Sequence, residues 1–111
     1  MTFRPFDVVV VPFPFADRPA VKRRPAVVVS SAAFNGRHDQ VILAMVTSAR
    51  QSNWPSDVHL QDWRGAGLSV ACRVRFKLFT LDETLVVRRV GALTAGDRAA
   101  VRKGLMESIA A

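Results

Sequence analysis

Val21-Lys22-Arg23-Arg24-Pro25-Ala26-Val27-Val28-Val29-Ser30, VKRRPAVVVS, sets three consecutive cations against a run of residues that belongs inside a core. Ala26 to Val29 are apolar at successive positions, the pattern of a strand covered on both faces. Pro25 fixes its own backbone angle and restricts the residue before it, so Arg24 stands at a stiff entrance to that strand. A strand buried on both faces needs buried neighbours, and the chain supplies them. Phe6-Asp7-Val8-Val9-Val10-Val11 is rich in β-branched residues and is stopped by Pro12 and Pro14, which cannot donate to a sheet ladder. Val41 to Val46 reads as a third strand, ending in Thr47-Ser48.

Between these runs, Ser30 to Gln40 carries Asn35-Gly36, a turn signal, and the polar segment 49–56 with Pro55 reads as an exposed loop. Asp57-Val58-His59-Leu60 alternates as a short strand, and 62–67, with two glycines, turns the chain. Val70 to Lys77 alternates clearly: Cys72, Val74 and Phe76 fall on one side, Arg73, Arg75 and Lys77 on the other. That spacing predicts three cations on one face. Leu85 to Val90 is a last strand. Thr94 as N-cap with Asp97 three residues on predicts a helix start, with Val101, Leu105 and Ile109 as its packing stripe and Gly104 weakening it. The sum is one domain, residues 1–111, mainly β in an α+β layout and closed by a C-terminal helix.

At 111 residues, half of them apolar, the chain is large enough for one core. No run approaches the ~20 apolar residues of a membrane span, and the N-terminus has no h-region or cleavage site, so no membrane role and a cytoplasmic location are expected. Cys72 has no second cysteine for a disulfide or a zinc site; a buried, inert thiol is expected there. The net charge of +7 is concentrated. Residues 18–80 hold ten Lys or Arg and three acids, while the remaining terminal segments balance to zero. A basic centre of this kind steers polyanions, RNA among them, and equally serves solubility.

The residue types narrow the chemistry. Nine scattered acids and two distant histidines offer no metal-ligand motif, and no metal or other cofactor is expected. His38 reads as a solvated loop residue and His59 as a surface one. There is no Gly-rich phosphate loop and no nucleophile elbow. Arginine and hydroxyl chemistry remain. A planar guanidinium at the edge of a buried strand can clamp a phosphate through two oxygens, the position of Arg24; Thr47 and Ser48 end a neighbouring strand and can donate to the same group. An ordinary solvated cation and an ordinary β-branched strand end are equally compatible with position alone.

Taken in order, Phe6-Asp7-Val8-Val9-Val10-Val11-Pro12-Phe13-Pro14-Phe15-Ala16-Asp17, then Lys22-Arg23-Arg24-Pro25-Ala26-Val27-Val28-Val29-Ser30, Val46-Thr47-Ser48, Arg75-Phe76-Lys77-Leu78-Phe79-Thr80-Leu81-Asp82 and the capped C-terminal helix resemble the MazF/PemK-like toxins of type II toxin–antitoxin systems over nearly the whole chain. The resemblance implies an SH3-like β-barrel of about six or seven strands with a C-terminal helix. It also implies a homodimer, a cognate antitoxin protein as partner, and metal-independent cleavage of single-stranded RNA by 2′-hydroxyl attack, leaving a 2′,3′-cyclic phosphate and a 5′-hydroxyl. Carried over by position, Arg24 stabilises the phosphorane charge and Thr47 holds a phosphate oxygen, with Ser48 and Arg75 in support. Some members carry an acid two residues after an arginine on the fifth strand; here the residues are Arg75-Phe76-Lys77, and a protonated lysine is a poor base. Lys77 then becomes a backbone-phosphate contact, and Asp17 a substitute acid or a residue bonding its own loop amides. In the second role, Asp17→Asn costs stability more than rate.

Lys22 and Arg23 are expected on the rim of an RNA groove, with Arg73 and Lys77 as a second bank. Trp54 and Trp63 are candidates for stacking a base or packing over the core. Two other functions suit the same barrel: a non-catalytic toxin that binds a protein such as DNA gyrase, and an RNA-binding module without chemistry. The terminal Glu107-Ser108-Ile109-Ala110-Ala111 lacks the aromatic ending shared by the gyrase-directed relatives.

Overall fold

The computed structural model describes residues 2–13, 22–50 and 52–110; Asp17 lies outside them. Six strands form one antiparallel sheet that curls into a half-barrel: β1 (Asp7–Pro12), β2 (Arg23–Val28), β3 (Gln40–Ser48), β4 (Val58–His59), β5 (Cys72–Asp82) and β6 (Arg88–Ala92). Their spatial order is β4-β5-β3-β2-β1-β6, so β1, β2 and β3 meander side by side and β5 returns to the far side of β3. Among the described residues the α-helices are α1 (Ala32–His38) and α2 (Ala95–Ser108). No helix among the described residues is long and apolar enough to cross a membrane.

The consecutive valines of β1 and β2 are buried on both faces, as their pattern requires. One face, with Val8, Val27, Ala44, Val46 and Val74, packs against Val101 of α2 and the 60–68 segment. The other, with Val9, Val11, Ala26, Val28, Val41 and Leu43, is covered by Phe3, Phe79, Leu81 and Val86. Cys72 is a buried free thiol, and burial pushes its pKa up.

Three expectations give way in the folded chain. Asn35-Gly36 does not turn the chain but lies inside α1. Ser31 caps that helix by accepting from the Phe34 amide, and buried Asn35 donates to the Phe3 carbonyl and accepts from Ser30. These tertiary bonds outweigh the local turn preference. Leu85 to Val90 is not continuous strand: Glu83–Leu85 forms a 3₁₀ turn, and β6 follows at Arg88. At α2, Thr94 is the N-cap residue but makes no side-chain cap bond. Asp97 accepts from the Gln61 and Asp62 amides at 2.8 Å each, tying the helix start to the loop beneath it. Of the predicted stripe on α2, Val101 is buried and Leu105 half-buried, while Ile109 is exposed.

The 60–68 segment sits very close to the β1–β6 bulge. Gly67 adopts φ +88°, a conformation natural to glycine, and a Cβ on Gly91 would lie 2.2 Å from the Ala66 carbonyl oxygen. Because the obstacle is backbone, it cannot rotate away. Gly91→Ala is therefore expected to lower stability by about 1–3 kcal/mol, the usual cost of overpacking, read as a shifted midpoint in urea unfolding.

Candidate active site

The strand register assembles the site at one end of the sheet. Val11 pairs with Arg24, Thr47 pairs with Arg73, and Arg73 pairs with His59 on the edge strand. Between β2 and β3, Ala26 pairs with Met45; the same register carried two residues further sets Arg24 across from Thr47. Directly opposed residues share a face of an antiparallel sheet. Arg24 alternates with Ala26 and Val28, and Thr47 with Met45, Leu43 and Val41, so both extend the face of the second core beyond its apolar part. The two residues singled out from the sequence thus fall in one row across neighbouring strands.

Each is held differently. Arg24 is half-buried, its guanidinium carbon 5.9 Å from the Phe13 ring centroid; Phe13 in turn contacts Phe79 at 5.6 Å. The cation is thus placed by an aromatic pair from β5 and the end of β1, a contact worth about 0.5–1 kcal/mol at an exposed site and more when desolvated. Thr47 is only 2% exposed, so its rotamer is set by packing. Ser48, half-buried, accepts from the Arg50 amide at 3.2 Å. Lys22 and Arg23 are exposed at the start of β2, in keeping with a rim position.

The expected open bank of cations on β5 is not what folds. Arg73 is 2% and Arg75 7% exposed, because residues 52–57 lie across them. Asp57 takes Arg73 Nε at 3.2 Å, and it accepts from Arg75 Nε at 3.1 Å and Arg75 Nη2 at 2.9 Å. Its carboxylate also accepts from the Trp54 amide at 3.0 Å. Both arginines donate to the Ser52 carbonyl, and Arg73 donates to Asn53 Oδ1. The Trp54 ring closes the assembly, 4.9 Å from the Arg75 guanidinium carbon, and stays 40% exposed. The alternation itself holds, with Cys72, Val74 and Phe76 all facing the first core, but the register with β3 shifts before Lys77. Met45 pairs with Arg75 and Ala44 with Leu78, so Phe76 and Lys77 fall in a bulge, which re-aims the strand. Lys77 is half-buried there.

Burial by itself would raise the Asp57 pKa. The Arg75 hydrogen bonds, the Trp54 amide and the two guanidinium charges outweigh it, and the carboxyl titrates below its ordinary value. The same bonds raise the Arg75 pKa. In the sequence Asp57 stands only as the first residue of an alternating strand. Alternation marks its side as polar; its partners, more than fifteen residues on, leave no signal there. Trp63 is half-buried against the first core with Arg64 over its ring at 4.8 Å, so it packs. His38 is exposed beside Phe34, and His59 is exposed on β4. Among the described residues no three His, Cys, Asp or Glu side chains converge as metal ligands would.

Comparison with known proteins bears on the fold and the family. MazF from Deinococcus radiodurans superposes with a TM-score of 0.74 at 29% identity, over 97% of this chain and 96% of that one. A MazE–MazF complex from the same organism gives 0.72 at 25% identity, over 97% and 95%. An endoribonuclease in complex with its cognate antitoxin, from Mycobacterial species, shares the fold with a TM-score of 0.73 at 15% identity, over 96% and 92%. No curated protein sequence matches the chain significantly. The family described as PemK-like, MazF-like toxin of type II toxin–antitoxin system matches residues 4–109. With that match spanning nearly every residue, the chain belongs to the MazF/PemK-like toxins.

Proposed function

We propose that this chain is a metal-independent endoribonuclease cutting single-stranded RNA, and that Arg24 and Thr47 carry the reaction. The observation that supports it best is their common row on one sheet face in a MazF-like chain. A phosphodiester laid across the row meets a planar fork from β2 and a hydroxyl from β3. The ribose 2′-oxygen forms a bond to phosphorus as the bond to the 5′-oxygen breaks, leaving a 2′,3′-cyclic phosphate and a 5′-hydroxyl. Negative charge builds on the non-bridging oxygens and on the departing 5′-oxygen, and a preplaced guanidinium stabilises that charge with little reorganisation. Arg24 also donates a proton toward the leaving oxygen. Thr47, locked by packing, holds a non-bridging oxygen, with Ser48 beside it.

Asp57 is unsuited to take the 2′-hydroxyl proton, since its lowered pKa makes it a weak base and its oxygens are committed to arginines. Asp17, in the loop that precedes Arg24 in the sequence, is the acid assigned to that step. Lys22, Arg23 and Lys77 draw in the RNA backbone, while Arg73 and Arg75 act indirectly, by fixing the 52–57 segment and presenting Trp54 for a base. The chain works as a homodimer in the cytoplasm and is silenced by a cognate antitoxin, a reading supported by the complexes among its structural neighbours.

Incubation with long single-stranded RNA in excess EDTA, with end-group analysis, tests the proposal. Discrete cuts with 5′-hydroxyl ends, lost in Thr47→Ala, are expected. Intact RNA from folded protein would move the reading to a binding module or a gyrase-directed toxin, which binding to RNA or to gyrase then separates.

A further inference from the structure

The terminal segments balance to zero charge in sequence, yet folding gathers their arginines. Arg4, Arg89 and Arg98 line a cleft of ≈ 570 Å³ in which Asp7 is the only acid among the described residues of the wall. Asp7 is already engaged: its Oδ1 pairs with Arg89 Nε at 3.1 Å and its Oδ2 accepts from the Arg4 amide at 2.9 Å. Among the described residues, neither the Arg4 nor the Arg98 guanidinium forms an ion pair, Asp7 being paired with Arg89 instead. Arg98 is placed by its contact with the Phe6 ring, 5.7 Å from the centroid, and by a long bond to the Leu93 carbonyl. Phe6 itself is held at φ +70°, an unusual conformation for an aromatic residue. It is pinned there by Phe6 N to the Val28 carbonyl and Leu93 N to the Phe6 carbonyl, which aims Asp7 and Arg4 into the cleft.

We infer that this cleft binds a phosphate group, at a site separate from the Arg24–Thr47 row. Asp7 and Val11 are four residues apart on β1, roughly 13 Å at strand rise, and the cleft lies at the Asp7 end while the row lies at the Val11 end. Three guanidiniums with one carboxylate leave a surplus of two positive charges, and their planar forks match tetrahedral oxyanions. Among the described residues no exposed aromatic ring lines the cleft to stack a base, so the ligand is read by its phosphate. Two sources share that chemistry: a backbone phosphate of the bound RNA, which rests on the ribonuclease reading, and a free polyphosphate, which does not.

Two arms test this with the intact chain and an Arg4→Gln/Arg98→Gln variant whose melting curve matches wild type. In the first, inorganic pyrophosphate is titrated against the Arg side-chain NMR signals. In the second, the salt dependence of binding is measured for short and long 2′-O-methyl RNA, which cannot be cut. For RNA as the source, the double variant lowers the log–log salt slope for the long strand by about 0.7 for each phosphate it no longer neutralises, leaves the short strand unchanged, and Arg98→Lys restores part of the slope. Pyrophosphate shifts on Arg4, Arg89 and Arg98 with an unchanged RNA slope would identify a free polyphosphate instead. No shift and no change in slope overturns the site. Short unmodified RNA is cut equally by the double variant. Absence of cutting in wild type would sink the ribonuclease reading and leave the pyrophosphate arm standing.

Discussion

Arg24→Ala lowers the rate constant of RNA cleavage about 10²–10³-fold, the usual effect of removing one preplaced donor from a developing oxyanion, about 2.7–4 kcal/mol. The loss falls on kcat more than on KM, because the guanidinium meets most charge at the transition state. Arg24 is half-buried over Phe13 and has no ion pair among the described residues, so the melting temperature should move little. Arg24→Lys keeps the charge but loses the fork and recovers only part of the rate. Single-turnover cleavage of a short RNA, with thermal melts alongside, reads both. A wild-type rate in Arg24→Ala would remove it from the mechanism.

Asp57→Ala produces the largest loss of stability, about 3–5 kcal/mol, because it strands buried guanidiniums whose shared counter-ion is gone. That is a large part of the roughly 5–15 kcal/mol available to a typical domain. Asp57→Asn keeps the shape and part of the hydrogen bonding and costs less. The same carboxylate makes stability pH-dependent. Its pKa is lower folded than unfolded, so between those two values the unfolded chain binds more protons, and stability falls as pH falls. The contribution is complete above the unfolded value of about 4 and drains away below it. Urea unfolding from neutral to acid pH should therefore show a declining acid limb in wild type and a flatter one in Asp57→Asn. Identical limbs would mean that Asp57 carries no linked proton. Because Arg75 supports the Trp54 ring, Asp57→Asn also weakens RNA binding without touching Arg24, raising KM with kcat little changed.

How much of the site is legible in the sequence follows from the range of each signal. Arg24 is visible because a proline and four apolar residues in succession announce a strand entrance, and Thr47 because it ends a strand of the same kind. Those are local patterns. The Asp57–Arg73–Arg75 cluster escapes them because alternation reports which side of a strand a residue occupies and says nothing of what lies over that side. Arginines at alternate positions look solvated until residues 52–57 are laid across them. Asn35-Gly36 misleads for a related reason, since its turn preference is worth less than the buried bonds Asn35 makes to Ser30 and Phe3.

The mainly β character, the three central buried strands, the terminal helix, the buried thiol and the excess of positive charge in the middle of the chain all follow from the order of residues. Each rests on composition or on a period of two or of 3.6 residues, which backbone geometry imposes wherever the chain goes. Which charges are free is settled only by packing. Pairing β3 with β5 brought Thr47 to Arg73, the covering loop took Arg73 and Arg75 out of solvent, and β1, β6 and α2 collected Arg4, Arg89 and Arg98 from segments whose charges cancel along the chain. An ionised group is worth little in water and much when desolvated, and desolvation belongs to the packed chain.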